Sequence, residues 1–251
     1  KNIKNIKLED ILIDGSIVKG YCEFNISSQI VTMYNINDTI VSGDHIIYEE
    51  NKPIRVCDSK FSKPHYYNKE NLICLITNTG KIPINNMVFS DYLDTHDLEV
   101  NRDIQIIVEN KLNTNLNYSK KQRLNDLVCG FSNFSKNINK YNIGSYNNGN
   151  KILGKITISK DFITPYKYKC NNGQIILVSG NVLVKENNNW IRISQSKKST
   201  KYDDIISEYY VHYITENNRL NINESEFTDF METSDNVTNN LIDHLVDIHH
   251  S

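Results

Sequence analysis

Few residues in this chain have both the type and the spacing that chemistry asks for. Ser42 and His45 stand three apart in the run Val41-Ser42-Gly43-Asp44-His45, and Cys129 opens the run Cys129-Gly130-Phe131. A histidine gives or takes a proton near neutral pH and an activated thiol is a nucleophile, so these are the chemistries on offer. Each residue also has a plainer reading. A histidine in a hairpin strand is satisfied by backbone groups, and a single cysteine beside Leu127, Val128 and Phe131 packs as a small apolar side chain. Asp91 and Asp229, each inside Phe-Ser/Thr-Asp-Tyr/Phe, read as turn residues that bond the backbone rather than as general bases. His244, His249 and His250 do not suggest a metal site, because a five-residue spacing does not stack on one helical face.

Composition narrows the field. The 251 residues carry 28 Lys plus Arg against 30 Asp plus Glu, for a formal charge of −2, and no basic run marks a phosphate-binding stripe. Nucleic acid is not an implied partner, and no cofactor is. The five cysteines (Cys22, Cys57, Cys74, Cys129, Cys170) are scattered singly, with no C-x-x-C pair, which points to a reducing compartment rather than to zinc or a disulfide framework. No apolar run approaches the ~18 residues of a spanning helix. A soluble, cytoplasmic chain is the expectation, and the abundance of Asn, Ile and Lys suggests an AT-rich source.

The elements that must position these residues occur twice. Val41-Ser42-Gly43 recurs as Val178-Ser179-Gly180, Glu49 as Glu186, Ile54-Arg55 as Ile191-Arg192 and Ser59-Lys60 as Ser196-Lys197, all 137 residues on. One residue further out of step, Ile76-Thr77 matches Ile214-Thr215, and Phe89-Ser90-Asp91-Tyr92 matches Phe227-Thr228-Asp229-Phe230. His45 is replaced by Val182. Short apolar runs with period two, from Ile11/Ile13 to Ile82/Ile84, are punctuated by Asn, Asp and Gly and predict hairpins. The expected architecture is mainly β: two tandem units over 1–97 and 129–235, a linker over 98–128 with a helix at 117–128, and a C-terminal helix over 236–251 packing on the second unit.

The order of motifs resembles the Hint family of hedgehog and intein autoprocessing domains, closest to Hint-like sequences of large DNA viruses and protists. The resemblance rests on "DILIDGSIV", "VSGDHIIYE", "IRV", "LICLITNTGKIPI" and "FSDY" in 1–97, and is weaker over 129–235. It implies an opening Cys or Ser that attacks the preceding carbonyl, and a T-x-x-H element whose histidine protonates the leaving nitrogen. Ser42 and His45 occupy that element in the first copy, with Ser42 in place of the family's Thr. Cys129 falls near the opening nucleophile of the second copy, making Val128–Cys129 the bond it would attack, but Val182 stands where the histidine should. The family's later histidine falls at Gly80 and Asn218, and neither copy ends in the His-Asn pair of inteins. The resemblance therefore implies a catalytically degenerate tandem protein, a structural or interaction module whose setting is a large viral particle or a processed polyprotein. The rival is a self-cleaving domain whose nucleophile lies upstream of Lys1. A third reading, recognition of peptides or glycans along β edges, suits the 15 tyrosines. Protein partners or precursor flanks are the partners expected, and the oligomeric state stays open.

Overall fold

Asparagine sets where this chain doubles back. Asn37-Asp38, Glu50-Asn51, Asn85-Asn86, Asn187-Asn188 and Asn223-Glu224 each place two successive residues at positive φ, between 47° and 66°. Two left-handed residues in a row make the hairpin turn whose twist matches that of its strands, and Asn tolerates that conformation best after Gly. The computed structural model describes residues 2–27, 31–112, 128–135, 138–204, 207–233 and 235–250. The protein is mainly β, with several antiparallel sheets and, among the described residues, two α-helices, the second of them C-terminal.

The chain forms two units, residues 1–96 with 244–251, and residues 97–243. The first contains β1 (Val18–Asn25), β2 (Met33–Ile36), β3 (Thr39–Ser42), β4 (Ile46–Glu49), β5 (Lys52–Arg55), β6 (Lys63–His65), β7 (Asn71–Thr77), β8 (Lys81–Ile84) and β9 (Met87–Ser90). Strands pair as β1 with β7, as β3-β2-β6 and as β5-β4-β9-β8, around a core of Val18, Ile36, Ile47, Val56, Leu75 and Phe89.

The second unit opens with helix α1 (Leu98–Lys111) and continues with β10 (Phe131–Ser132), β11 (Tyr146–Asn147), β12 (Asn150–Ser159), β13 (Pro165–Lys169), β14 (Ile175–Ser179), β15 (Leu183–Glu186), β16 (Asn189–Arg192), β17 (Ser199–Lys201), β18 (Tyr209–Thr215), β19 (Arg219–Ile222) and β20 (Ser225–Thr228). Helix α2 (Asn236–His250) ends the described chain. Here the strands run β17-β13-β14-β10-β18-β12 and β16-β15-β20-β19. The core is larger and more aromatic: the Phe227 ring meets Phe131 edge-on at 5.2 Å and Tyr168 at 5.8 Å.

Pairings recur along with the residues. Ile46 lies opposite Arg55 as Leu183 lies opposite Arg192, and Ile47 opposite Phe89 as Val184 opposite Phe227. The β1–β7 ladder shifts register between Val18 and Gly20, and the β12–β18 ladder between Ile152 and Gly154.

The helices follow the same offset. Asp97 caps α1 by accepting from Glu99 N and Val100 N, and Asp235 caps the first turn of α2 by accepting from Val237 N and Thr238 N. The inward positions also correspond, Val100 with Thr238 and Val108 with Val246, all buried. Each scaffold of strands is thus followed by its own helix. Yet α1 belongs to the second unit, while residues 244–251 belong to the first. The expectation that the C-terminal helix packs on the second unit therefore holds only for 236–243, because Asp247 finds its cationic partner at Arg55, 2.7 Å away. The helix expected at 117–128 lies almost wholly outside the described residues. Ile11 and Ile13, read as strand residues facing a core, are 72% and 93% exposed. They flank a tight turn in which Asp14 accepts from the backbone and hydroxyl of Ser16 and Gly15 takes φ +86°, leaving only an Ile11–Ile17 bridge.

Candidate functional site

Gly43 recurs as Gly180 for a steric reason. A Cβ at Gly43 would lie 2.7 Å from the Tyr34 ring, and one at Gly180 would lie 2.5 Å from the Tyr166 ring. Each tyrosine ring packs against the turn that carries the candidate residues. One backbone bond then closes each turn, from His45 N to Ser42 O at 3.3 Å and from Val182 N to Ser179 O at 3.3 Å. An arginine staples each turn from below: Arg55 donates to the carbonyl of Asp44 and Arg192 to that of Asn181, both at 2.6 Å.

His45 is half-buried, and its Nε2 lies 3.0 Å from the Ser90 carbonyl. The ring is positioned by backbone, not by Ser42, and donation to a carbonyl puts its proton on Nε2. Around it the Ser90 hydroxyl donates to Asp94 at 3.0 Å, and Arg55 stands 4.0 Å from the same carboxylate. Burial holds the Asp94 carboxyl above its ordinary pKa, opposed chiefly by the nearby His45 and by the Ser90 hydroxyl. In the second unit Val182 is fully buried. No proton donor stands in its place.

Cys129 and Val128 are buried at the entry to β10. The Ser179 hydroxyl accepts from Gly130 N at 3.0 Å, so the serine of Val-Ser-Gly anchors this strand instead of serving the imidazole. Burial pushes the Cys129 thiol far above its ordinary pKa; the Glu232 carboxylate adds to this and Arg192 opposes it. A thiol that stays protonated is no nucleophile. The three candidate residues are divided between the units: Ser42 and His45 lie in one and Cys129 in the other.

Beside Cys129 runs a buried ion network. Arg192 donates through Nε to Glu109 at 3.1 Å and forms a two-pronged pair with Glu232, its second amino group lying 3.0 Å from the carboxylate. Its counterpart in the first unit, Arg55 with Asp94 and Asp247, is more exposed. Glu109 and Asp247 are the same position on the two helices.

Asp91 and Asp229 are fully buried and bond the backbone as their motif suggests. Asp91 accepts from Thr77 N and Leu93 N, and Asp229 from Thr215 N and Met231 N. Burial still raises the Asp229 carboxyl to about 6 against those hydrogen bonds.

Two histidines of note escape motif reasoning. His96 binds Asp91, five residues back in the chain, and His212 is fully buried between the rings of Phe131 and Phe230. The His212 Nδ1 accepts from Tyr213 N at 2.9 Å, which leaves the proton on Nε2, and Nε2 has no partner among the described residues. The only sequence signal for it was a histidine in the middle of the aromatic run Tyr209-Tyr210-Val211-His212-Tyr213. All five cysteines are free thiols, and no described helix is long and apolar enough to cross a membrane. No protein-family model, no curated protein and no solved structure matches the chain.

Proposed function

We propose that the chain is a tandem Hint-like protein, of the hedgehog and intein type, that has lost self-processing chemistry in its second half and serves as a structural or interaction module. The observation that carries this reading is the pairing of a buried, protonated Cys129 with Val182 in the seat that His45 fills in the first unit. Acyl transfer at Val128–Cys129 needs a thiolate and a proton for the leaving nitrogen, and neither is supplied. Loss of one member of a catalytic group removes several orders of magnitude in rate, which leaves a chain of this kind intact. The resemblance suggests a large viral particle as its setting. Intact-mass measurement of freshly expressed chain tests the reading: a single species of full length is expected, and a fragment beginning at Cys129 would overturn it.

One observation favours a second reading for the first unit alone. His45 keeps an imidazole held in place 3.0 Å from the Ser90 carbonyl. A precursor with Cys or Ser ahead of Lys1 that cleaves, and stops cleaving on His45→Ala, would establish that reading.

A further inference from the structure

One rung of the β1–β7 ladder is made of two cysteines. Cys22 lies directly opposite Cys74, between the rungs Tyr21–Leu75 and Glu23–Ile73. The second unit keeps the rung but not the residues. There Ile156 lies opposite His212, two places from the Gly154–Ile214 rung, just as Cys22–Cys74 lies two places from Gly20–Ile76.

Residues directly opposite in an antiparallel pair project to the same face of the sheet. Ile26 N donates to Glu70 O at 2.7 Å, four rungs further along the same register. Hydrogen-bonded rungs alternate with open ones, so Cys22 and Cys74 make a hydrogen-bonded rung, whose Cα atoms stand about 5.5 Å apart. A disulfide spans about 4.4–6.8 Å between Cα atoms, so one can close here without backbone movement. Cys22 is fully buried, and Cys74 is half-buried with its Sγ 3.7 Å from the Leu75 carbonyl. Burial holds both thiols far above their ordinary pKa; the neighbouring Cys74 adds to this for Cys22, and the Asp91 carboxylate adds to it for both. In the folded chain neither sulfur is a thiolate, so thiol–disulfide exchange waits on opening of the ladder.

We propose that Cys22 and Cys74 form a dithiol–disulfide site, which a small-molecule disulfide of the glutathione type oxidises while the β1–β7 ladder is open and which the closed ladder then protects. One cysteine thiolate attacks glutathione disulfide, releasing one glutathione thiolate and leaving a mixed disulfide. The second cysteine thiolate attacks the protein-side sulfur of that bond and releases the second glutathione. One S–S bond breaks and one forms. The two cysteines lose two electrons, glutathione disulfide gains them, and the two thiol protons leave on the two glutathiones. The new bond ties together the ends of a segment that holds β2 to β6, the turn from Ser42 to His45 included, and restricts that segment in the unfolded chain. The inference rests on strand register and stands whether or not either unit retains chemistry.

The full chain is equilibrated with glutathione disulfide in urea at its unfolding midpoint, returned to buffer, quenched with an alkylating agent in denaturant and mapped as peptides without reduction. A linked Cys22–Cys74 peptide is expected, with loss of two of the five alkylatable thiols. The urea midpoint of the oxidised chain should lie above that of the same chain kept in dithiothreitol. Cys22→Ser and Cys74→Ser should each abolish the linked peptide and the shift in midpoint, and Cys57→Ser should abolish neither. Recovery of all five thiols, or links and glutathione adducts scattered among the cysteines, would overturn the proposal. So would a Cys22–Cys74 link that leaves the midpoint unchanged or lowers it. The peptide map of the parent chain decides the bond, so the test does not depend on the serine variants folding.

Discussion

The His96 imidazole lies 2.9 Å from the Asp91 carboxylate, directly over Gly80. In the second unit the same buried carboxylate, Asp229, takes its hydrogen bond from Asn218 at 3.2 Å, and Asn218 is the counterpart of Gly80. Both positions are left-handed, at φ +72° and +55°. One unit reaches the aspartate from the turn itself. The other empties the turn to glycine and brings in a ring from sixteen residues further along the chain.

The two solutions should be interchangeable as sets and incompatible as singles. His96→Ala leaves the Asp91 carboxylate short of a donor and is expected to cost about 1–3 kcal/mol. Gly80→Asn alone brings a Cβ to 3.1 Å from the His96 ring and should also destabilise. Together they should recover more than half of the His96→Ala loss, because Asn tolerates positive φ and its amide reaches the aspartate as Asn218 does. Urea denaturation of the four chains measures the coupling. Additive losses would show that the seats are not equivalent.

The equivalent arginines should differ in worth because they differ in burial. Arg192 and Glu109 have side chains only 5% and 3% exposed, so truncating the guanidinium in Arg192→Met leaves two carboxylates buried without their cation. A loss of about 3–5 kcal/mol is expected. Arg55→Met removes a pair in which Asp247 is 54% exposed, and should cost about 1 kcal/mol or less. Denaturation midpoints compared at low and high salt would separate them, since only the Arg55 contribution should fade with salt.

What could be read from the sequence followed from local rules. Asn, Asp and Gly between alternating apolar runs announce hairpins, and the chain does turn at Asn37-Asp38, at Asn51 and at Gly80. The helices were harder. Glu109 and Asp247 meet equivalent arginines, and Val100 and Thr238 are both buried, but neither pair shares identity, so nothing in the letters joins α1 and α2 to the repeat. Period-two alternation also misplaced Ile11 and Ile13, because a tight turn at Gly15 leaves no partner strand for them. The exchange between Gly80, His96 and Asn218 was invisible for a different reason. Alignment compares position with position, while the donor moved in sequence and stayed in place in space.

Thiol chemistry offers a direct test of burial. Cys57 is exposed, whereas Cys22, Cys129 and Cys170 are buried and their thiols are held up in pKa by desolvation. Brief alkylation of the native chain followed by peptide mass mapping should modify Cys57 first and leave Cys129 unmodified until denaturant is added. Labelling of Cys129 at a rate near that of Cys57 would show an accessible thiolate and reopen the case for a nucleophile.

The buried His212 and Asp229 should oppose each other in acid. Burial lowers the His212 pKa to about 3 from 6.5, so its contribution to stability is full above pH 6.5 and is lost as pH falls toward 3. Burial raises Asp229 to about 6 from 3.8, so its contribution is greatest below pH 3.8 and is lost as pH rises through 6. Between about pH 4 and 6 the unfolded chain binds one more proton at the histidine and one fewer at the aspartate, and the two slopes cancel. His212→Leu removes one side of that balance. Relative to the parent, this variant should gain stability as pH falls from 6.5 to 4, at up to about 1.4 kcal/mol per pH unit. At pH 7 the gain from removing the unpartnered Nε2 is offset by loss of the Nδ1 that accepts from Tyr213 N. Urea midpoints at pH 4, 5, 6 and 7 for both chains give the difference directly, and a difference that does not change with pH would mean that His212 is protonated in the folded state.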